Sequence, residues 1–185
     1  MVSRQERKDR QEMRKQALLR YQKQRQRNVL AEVGAHDFII VLDHLKAGFN
    51  IPKIFRSAEA MGANSVHLVG IGPFDPAPAK GSFKKVPARF HDDFDSCHTE
   101  LTDAGYQLFT LEPDGEQSLL NISLPQKSAF ILGHEEFGIS FEQSDYPDIH
   151  SISIPQFGSV ESLNVSIAAS VMMFEYVRQH HTETE

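Results

Sequence analysis

Between residues 37 and 179, short apolar runs alternate with stretches whose apolar residues recur at helical spacing, and this alternation narrows the fold more than any other feature. Phe38-Ile39-Ile40-Val41-Leu42 is apolar throughout, the pattern of a strand covered on both faces. Ile51, Ile54, Phe55, Ala58 and Met61 then recur at helical spacing. Asn50 is the expected N-cap of that helix, Pro52 falls in its first turn, where a missing N–H does no harm, and Gly62 closes it. Further strands are expected over 65–69, 106–111, 129–132 and 149–154, with helices over 94–104 and from Val160 to about Gln179. Residues 70–90, punctuated by glycines and prolines, are expected to form a long basic loop with at most one helical turn. Alternation of this kind predicts an α/β fold with a mainly parallel sheet flanked by helices.

Charge is divided unevenly along the chain. Residues 1–28 carry ten Lys/Arg against three acidic residues, a net +7; the whole chain is −6, so residues 29–185 carry −13. The basic block has no Gly or Pro and is rich in Gln, Arg and Glu, which favours a helix. Two readings of it stay open: a solvated helix, or an arm that binds phosphates by releasing their counterions. The acidic body disfavours non-specific adhesion to a polyanion by the molecule as a whole. The expected organisation is therefore a basic helical arm (1–28), an α/β domain (29–181) and a short tail (182–185).

Several chemistries are disfavoured. Cys97 is the only cysteine, so there is neither an internal disulfide nor a multi-cysteine zinc site. No apolar run approaches the ~18 residues of a membrane span, and the charged N-terminus does not resemble a secretory signal; a cytoplasmic location and no membrane partner are expected. Gly70-Ile71-Gly72 lacks the third glycine of a dinucleotide-binding turn, and there is no Walker-type phosphate loop or Gly-x-Ser-x-Gly elbow. His91-Asp92-Asp93 and Cys97-His98 contain metal-ligating types without a second ligand pair, so they read as surface and no metal is expected.

Three segments, in order, carry a resemblance. They are Asn50-Ile51-Pro52-Lys53-Ile54-Phe55-Arg56-Ser57-Ala58-Glu59-Ala60-Met61-Gly62, Phe130-Ile131-Leu132-Gly133-His134-Glu135-Glu136-Phe137-Gly138-Ile139, and Ile152-Ser153-Ile154-Pro155-Gln156-Phe157-Gly158-Ser159-Val160-Glu161-Ser162-Leu163-Asn164-Val165-Ser166. Together they resemble the three motifs of the SpoU (TrmH-type) family of RNA ribose methyltransferases in the SPOUT superfamily, over residues from about 37 to 179. The first departs from the Asn-Val-Gly found in many members, having Asn50-Ile51-Pro52 instead.

The resemblance implies a SPOUT fold with a deep C-terminal trefoil knot, a homodimer, and S-adenosyl-L-methionine as cofactor. The implied reaction is methyl transfer to a ribose 2′-hydroxyl of RNA, with tRNA expected and rRNA as the alternative; a non-catalytic RNA-binding dimer is a further alternative. It implies a cofactor pocket of Leu111, Gly133, Ile154 and Leu163, with Thr110 as a neighbour, and a catalytic set of Arg56, Asn50, Glu135, Ser162 and Asn164. Each residue has a plainer reading. Arg56 pairs with Glu59, Ser162 and Asn164 cap the last helix, Ile154 and Leu163 are core, and Glu135 is a loop carboxylate. A guanidinium is effectively never deprotonated in proteins, so the role expected for Arg56 is binding phosphate and stabilising developing alkoxide, with a transient base role assisted by that phosphate as the alternative. RNA contacts are expected from Arg4, Arg7, Lys8, Arg10, Arg14 and Lys15 in the arm and Lys84, Lys85 and Arg89 in the basic loop.

Overall fold

A computed structural model describes residues 3–181; the 182–185 tail lies outside the described residues. Helix α1 (Arg4–Asn28) comes first, opened by a capping box in which the Ser3 hydroxyl accepts from the Glu6 N–H and Glu6 accepts from the Ser3 N–H. Then follow β1 (Phe38–Asp43), α2 (Asn50–Ala60), β2 (Ser65–Val69), β3 (Ala88–His91), α3 (Phe94–Asp103), β4 (Gln107–Leu111), β5 (Gln117–Ser118), β6 (Ser128–Leu132), β7 (His150–Ser153) and α4 (Val165–His180). The strands form one sheet in the order β3-β2-β1-β6-β4-β7-β5, and every neighbouring pair is parallel.

A parallel sheet must be covered on both faces, and the alternation within β1 shows how. Phe38, Ile40 and Leu42 meet Ile54 and Phe55 of α2 and Met172, Met173 and Tyr176 of α4 in one core. Ile39 and Val41 face the other way, into a smaller core with Phe94, Cys97 and Leu101 of α3. Phe38 and Tyr176 anchor the larger core with ring centroids 4.8 Å apart.

The structure corrects the sequence reading at several places. Residues 70–90 are not all loop: two 3₁₀ turns, Ala77–Ala79 and Ser82–Lys84, lead into β3, the edge strand. The two-residue β5 was also missed, being too short to show a period. The last helix begins at Val165, five residues later than expected, because residues 155–164 form an extended loop that Asn164 ends as N-cap. Within α4, Ile167, Val171 and Phe174 are exposed while Ala169, Met172, Met173 and Tyr176 face the core.

The expected boundary after residue 28 does not coincide with a break in packing. Tyr21 is buried against Phe74 and Phe83, and the Arg25 guanidinium lies 4.1 Å from the Phe90 ring centroid. Asn28, buried at the helix end, donates to the Phe83 and Val86 carbonyls (2.5 and 2.6 Å) and accepts from the Ala88 N–H (2.9 Å). This one amide splices α1 to the start of the edge strand. Asn28→Ala leaves three buried backbone groups unpaired, and a loss of roughly 3 kcal/mol in unfolding free energy is expected in urea titration. A change under about 0.5 kcal/mol contradicts that assignment.

Candidate active site

The carboxyl ends of β4, β6 and β7 open onto a cavity of about 440 Å³. Crevices beyond strand carboxyl ends are where open parallel sheets hold ligands. Leu111 closes β4 and contributes one wall, Leu132 and Gly133 at the end of β6 a second, and Ile154 and Gln156 after β7 a third; Leu163, Asn164 and Val165 complete it. Of the five expected pocket residues, Leu111, Gly133, Ile154 and Leu163 line the cavity. Thr110 does not: it is fully buried one residue earlier on β4, where alternation turns its side chain to the opposite face, and its hydroxyl oxygen has no partner.

The glycine at 133 serves a closer contact than a ligand. A Cβ there would meet the Gly138 carbonyl carbon at 2.4 Å and the Ile139 nitrogen at 2.5 Å, because the loop folds back upon itself. His134 and Gly138 close that loop with two backbone hydrogen bonds of 2.7 and 2.8 Å. The His134 Nδ1 accepts from the N–H groups of Glu136 and Phe137, a role that sequence reading missed. Asp43, fully buried at the end of β1, was missed as well. Its carboxylate accepts from the Ser140 N–H and hydroxyl and bonds the His44 ring, so it pins the far end of the loop.

Three expected catalytic residues join in one chain of hydrogen bonds at the cavity mouth. The Asn50 amide donates to Glu135 (2.8 Å), and Asn164 donates to the Asn50 carbonyl oxygen (3.3 Å). Asn164 in turn caps α4 by accepting from the Ser166 N–H and hydroxyl. Burial raises the Glu135 pKa, but hydrogen bonds from Asn50, its own backbone and Lys46 outweigh that, so the carboxyl sits below its ordinary value and is ionised near neutrality. Asn50 is therefore not the cap expected for α2: Phe49 holds that position without a side-chain bond, and the Asn50 amide is committed to Glu135 and Asn164. Ser162 lines the cavity from the loop rather than from the helix.

Arg56 stands apart. It is exposed on α2, does not line the cavity, and has no ion pair or hydrogen bond among the described residues. Its plain reading as the partner of Glu59 does not hold, since Glu59 binds Lys85 at 2.8 Å and accepts from Ser82. The expected RNA-contacting side chains divide similarly. Arg4, Arg7, Lys8, Arg10, Arg14 and Lys15 are all exposed on the free half of α1. Lys85 is engaged by Glu59, Arg89 lies 3.9 Å from Glu100, and Lys84 is half-buried.

The family comparison bears on the same elements: residues 37–174 match the SpoU rRNA Methylase family. The chain belongs to that family. Among SpoU-family relatives, it is 30% identical over 148 residues to a tRNA (guanosine(18)-2′-O)-methyltransferase of Thermus thermophilus, covering 77% of this chain and 75% of that protein. A 23S rRNA (guanosine-2′-O-)-methyltransferase of Neisseria meningitidis serogroup B is 28% identical over 163 residues, 85% of this chain and 65% of that protein. Among solved structures, the SpoU methyltransferase AviRb of Streptomyces viridochromogenes in complex with AdoMet superposes with a TM-score of 0.70 at 28% identity, over 78% of this chain and 58% of that one. The chain thus spans three quarters of the Thermus relative but under two thirds of the other two. Among the described residues, no helix is long and apolar enough to cross a membrane.

Proposed function

We propose that this chain is a S-adenosylmethionine-dependent RNA methyltransferase that transfers a methyl group to a ribose 2′-hydroxyl of tRNA, acting as a homodimer. The observation that carries the reading is the cavity at the strand ends, whose mouth is braced by the Glu135–Asn50–Asn164 chain drawn from all three motifs. Its donor set suits the cofactor. Leu111, Leu132, Ile154 and Leu163 supply apolar walls for a purine, and the buried Gln156 Oε1 has no hydrogen-bond partner among the described residues and so offers an acceptor. The three loops around it (111–113, 133–139 and 154–164) are those that a trefoil knot would interlace, and the reading includes that knot.

When bound, the cofactor supplies an electrophilic methyl on a sulfonium. The protein's own contribution is positioning and charge. Asn50 and Asn164 hold the Glu135 carboxylate and the start of α4 in register, so the cavity keeps its shape without reorganising as the hydroxyl oxygen approaches. Ser162 adds a hydroxyl at the mouth for a ribose or cofactor hydroxyl. Arg56 binds the phosphate beside the target ribose and stabilises negative charge on the attacking oxygen, whose proton leaves to that phosphate or to water. Because Arg56 lies outside the cavity of its own chain, it serves the cavity of a second copy. The exposed apolar stripe Ile167, Val171 and Phe174 on α4, spaced along one helix face beside α2, supports such a dimer.

The test is titration with S-adenosylmethionine followed by incubation with bulk tRNA and, separately, with rRNA. Saturable one-to-one binding and methyl incorporation into tRNA are expected. Absence of cofactor binding favours a non-catalytic RNA-binding dimer, and incorporation into rRNA alone overturns the substrate.

The arm makes a separate prediction. Changing Arg4, Arg7, Lys8, Arg10, Arg14 and Lys15 to Gln leaves the packed half of α1 intact. It is expected to weaken RNA binding and to reduce the slope of log affinity against log salt by several units at most, with cofactor affinity unchanged. An unchanged salt slope would mean that the arm is merely solvated.

A further inference from the structure

On the opposite side of the sheet from α2 and α4, three side chains from three elements converge. His67 on β2 and His91 on β3 are close diagonal neighbours, with His91 Nε2 3.0 Å from His67 Nδ1. Cys97, fully buried on α3, places its sulfur 3.8 Å from that same Nδ1. All three potential ligand atoms lie within 4.8 Å of one another. None of these residues lines the cavity at the strand ends, and the methyl-transfer reading uses none of them. Nor are His91 and Cys97 surface groups, as the sequence suggested: the His91 side chain is only 6% exposed and Cys97 is fully buried.

We propose that His67, His91 and Cys97 form a binding site for a divalent transition-metal ion, with Zn²⁺ the ion their chemistry fits and a fourth position open on the side of Glu100. The spacing supports this. A tetrahedral zinc with Zn–N of about 2.1 Å and Zn–S of about 2.3 Å requires N···N edges of about 3.4 Å and N···S edges of about 3.6 Å. The two edges through His67 Nδ1, at 3.0 and 3.8 Å, need shifts of only a few tenths of an ångström, and the third, between His91 and Cys97, lies within 4.8 Å. Two imidazoles and a thiolate are a borderline-soft set, which selects Zn²⁺ over Mg²⁺ or Ca²⁺.

Glu100 lies three residues beyond Cys97 on the same face of α3, its Oε2 4.0 Å from His91 Nε2. It is half exposed, so it gives the ion a path from solvent. The charges also balance: Zn²⁺ with one thiolate and the Glu100 carboxylate is neutral, and the nearby Arg89, itself 3.9 Å from Glu100, is exposed. On binding, the Cys97 S–H bond breaks as the S–metal bond forms, and one proton passes to solvent per ion bound. The site ties α3 to β2 and to the short edge strand β3, which has a strand neighbour on one side only. Its role is to staple that edge.

The test uses the full chain, stripped of metal with chelator and titrated with Co²⁺. One Co²⁺ per chain is expected, with a thiolate-to-cobalt charge-transfer band in the near ultraviolet that equimolar Zn²⁺ removes. Cys97→Ser should lose that band. His91→Gln, which keeps a polar side chain at that position, should weaken cobalt binding at least ~10-fold. A wild-type chain with no such band at stoichiometric cobalt overturns the proposal. So does a band that survives Cys97→Ser, or wild-type affinity in His91→Gln. These readouts do not involve RNA or methyl transfer, so they stand or fall independently of the proposed activity.

Discussion

Arg56→Ala is expected to lower methyl transfer to RNA by at least ~100-fold while leaving affinity for S-adenosylmethionine within about twofold. The expectation follows from where the side chain lies. Arg56 is exposed on α2 and does not line the cavity in its own chain, so its removal is expected to leave that cavity unchanged. Glu59, the obvious surface partner, is already engaged by Lys85, so no structural ion pair is lost. In the proposed function the guanidinium meets RNA phosphate and the charge that develops on the attacking oxygen, and groups aimed at developing charge are worth about 3–4 kcal/mol. Arg56→Lys separates the two parts of that role. A compact ammonium still meets a phosphate, but it lacks the planar fork, so partial recovery of RNA binding with little recovery of turnover is expected. Full activity in Arg56→Ala contradicts the mechanism.

Gly133→Ala is expected to have the opposite signature, with cofactor binding lost by at least ~10-fold and turnover falling because the site is not formed. The added Cβ would sit 2.4 Å from the Gly138 carbonyl carbon and 2.5 Å from the Ile139 nitrogen, and both are backbone atoms held by the paired His134 and Gly138. Neither can turn aside as a flexible side chain would, so the two limbs of the loop must part and take the wall of the cavity with them. Calorimetric titration with S-adenosylmethionine reads this directly, and near-normal affinity would mean that the loop is slacker than its hydrogen bonds imply. The global fold should survive, since the loop lies beyond the carboxyl end of β6 rather than within the sheet.

How much of this was legible beforehand depends on how far apart in sequence the interacting groups lie. Buried strands such as Phe38–Asp43 announce themselves by composition, and the helix over residues 50–60 by spacing, because both signals are local. Leu111, Gly133, Ile154 and Leu163 line one cavity at the ends of strands, whereas Thr110 does not, because a shift of one residue along a strand reverses its face. Asn50 has the composition of a cap, yet a partner 85 residues away claims its amide, and no local rule foresees that. Strand β3 was hidden in a segment dense with Gly and Pro, where it forms because β2 and Asn28 offer it pairing. Once that strand was missed, His91 could not be set beside His67, and the cluster with Cys97 stayed invisible. The arm misled in another way: its charge is evenly spread, but its second half is packed through Tyr21, Arg25 and Asn28 while the first half is free.

The most direct test of the whole account is the chemical position of the transferred methyl group. Purified protein, methyl-labelled S-adenosylmethionine and unmodified tRNA are incubated together, and the RNA is digested to nucleosides for mass spectrometry. The account predicts label on a ribose, recovered as a 2′-O-methylnucleoside. Label on a base, or an unlabelled RNA despite saturating cofactor, would contradict it.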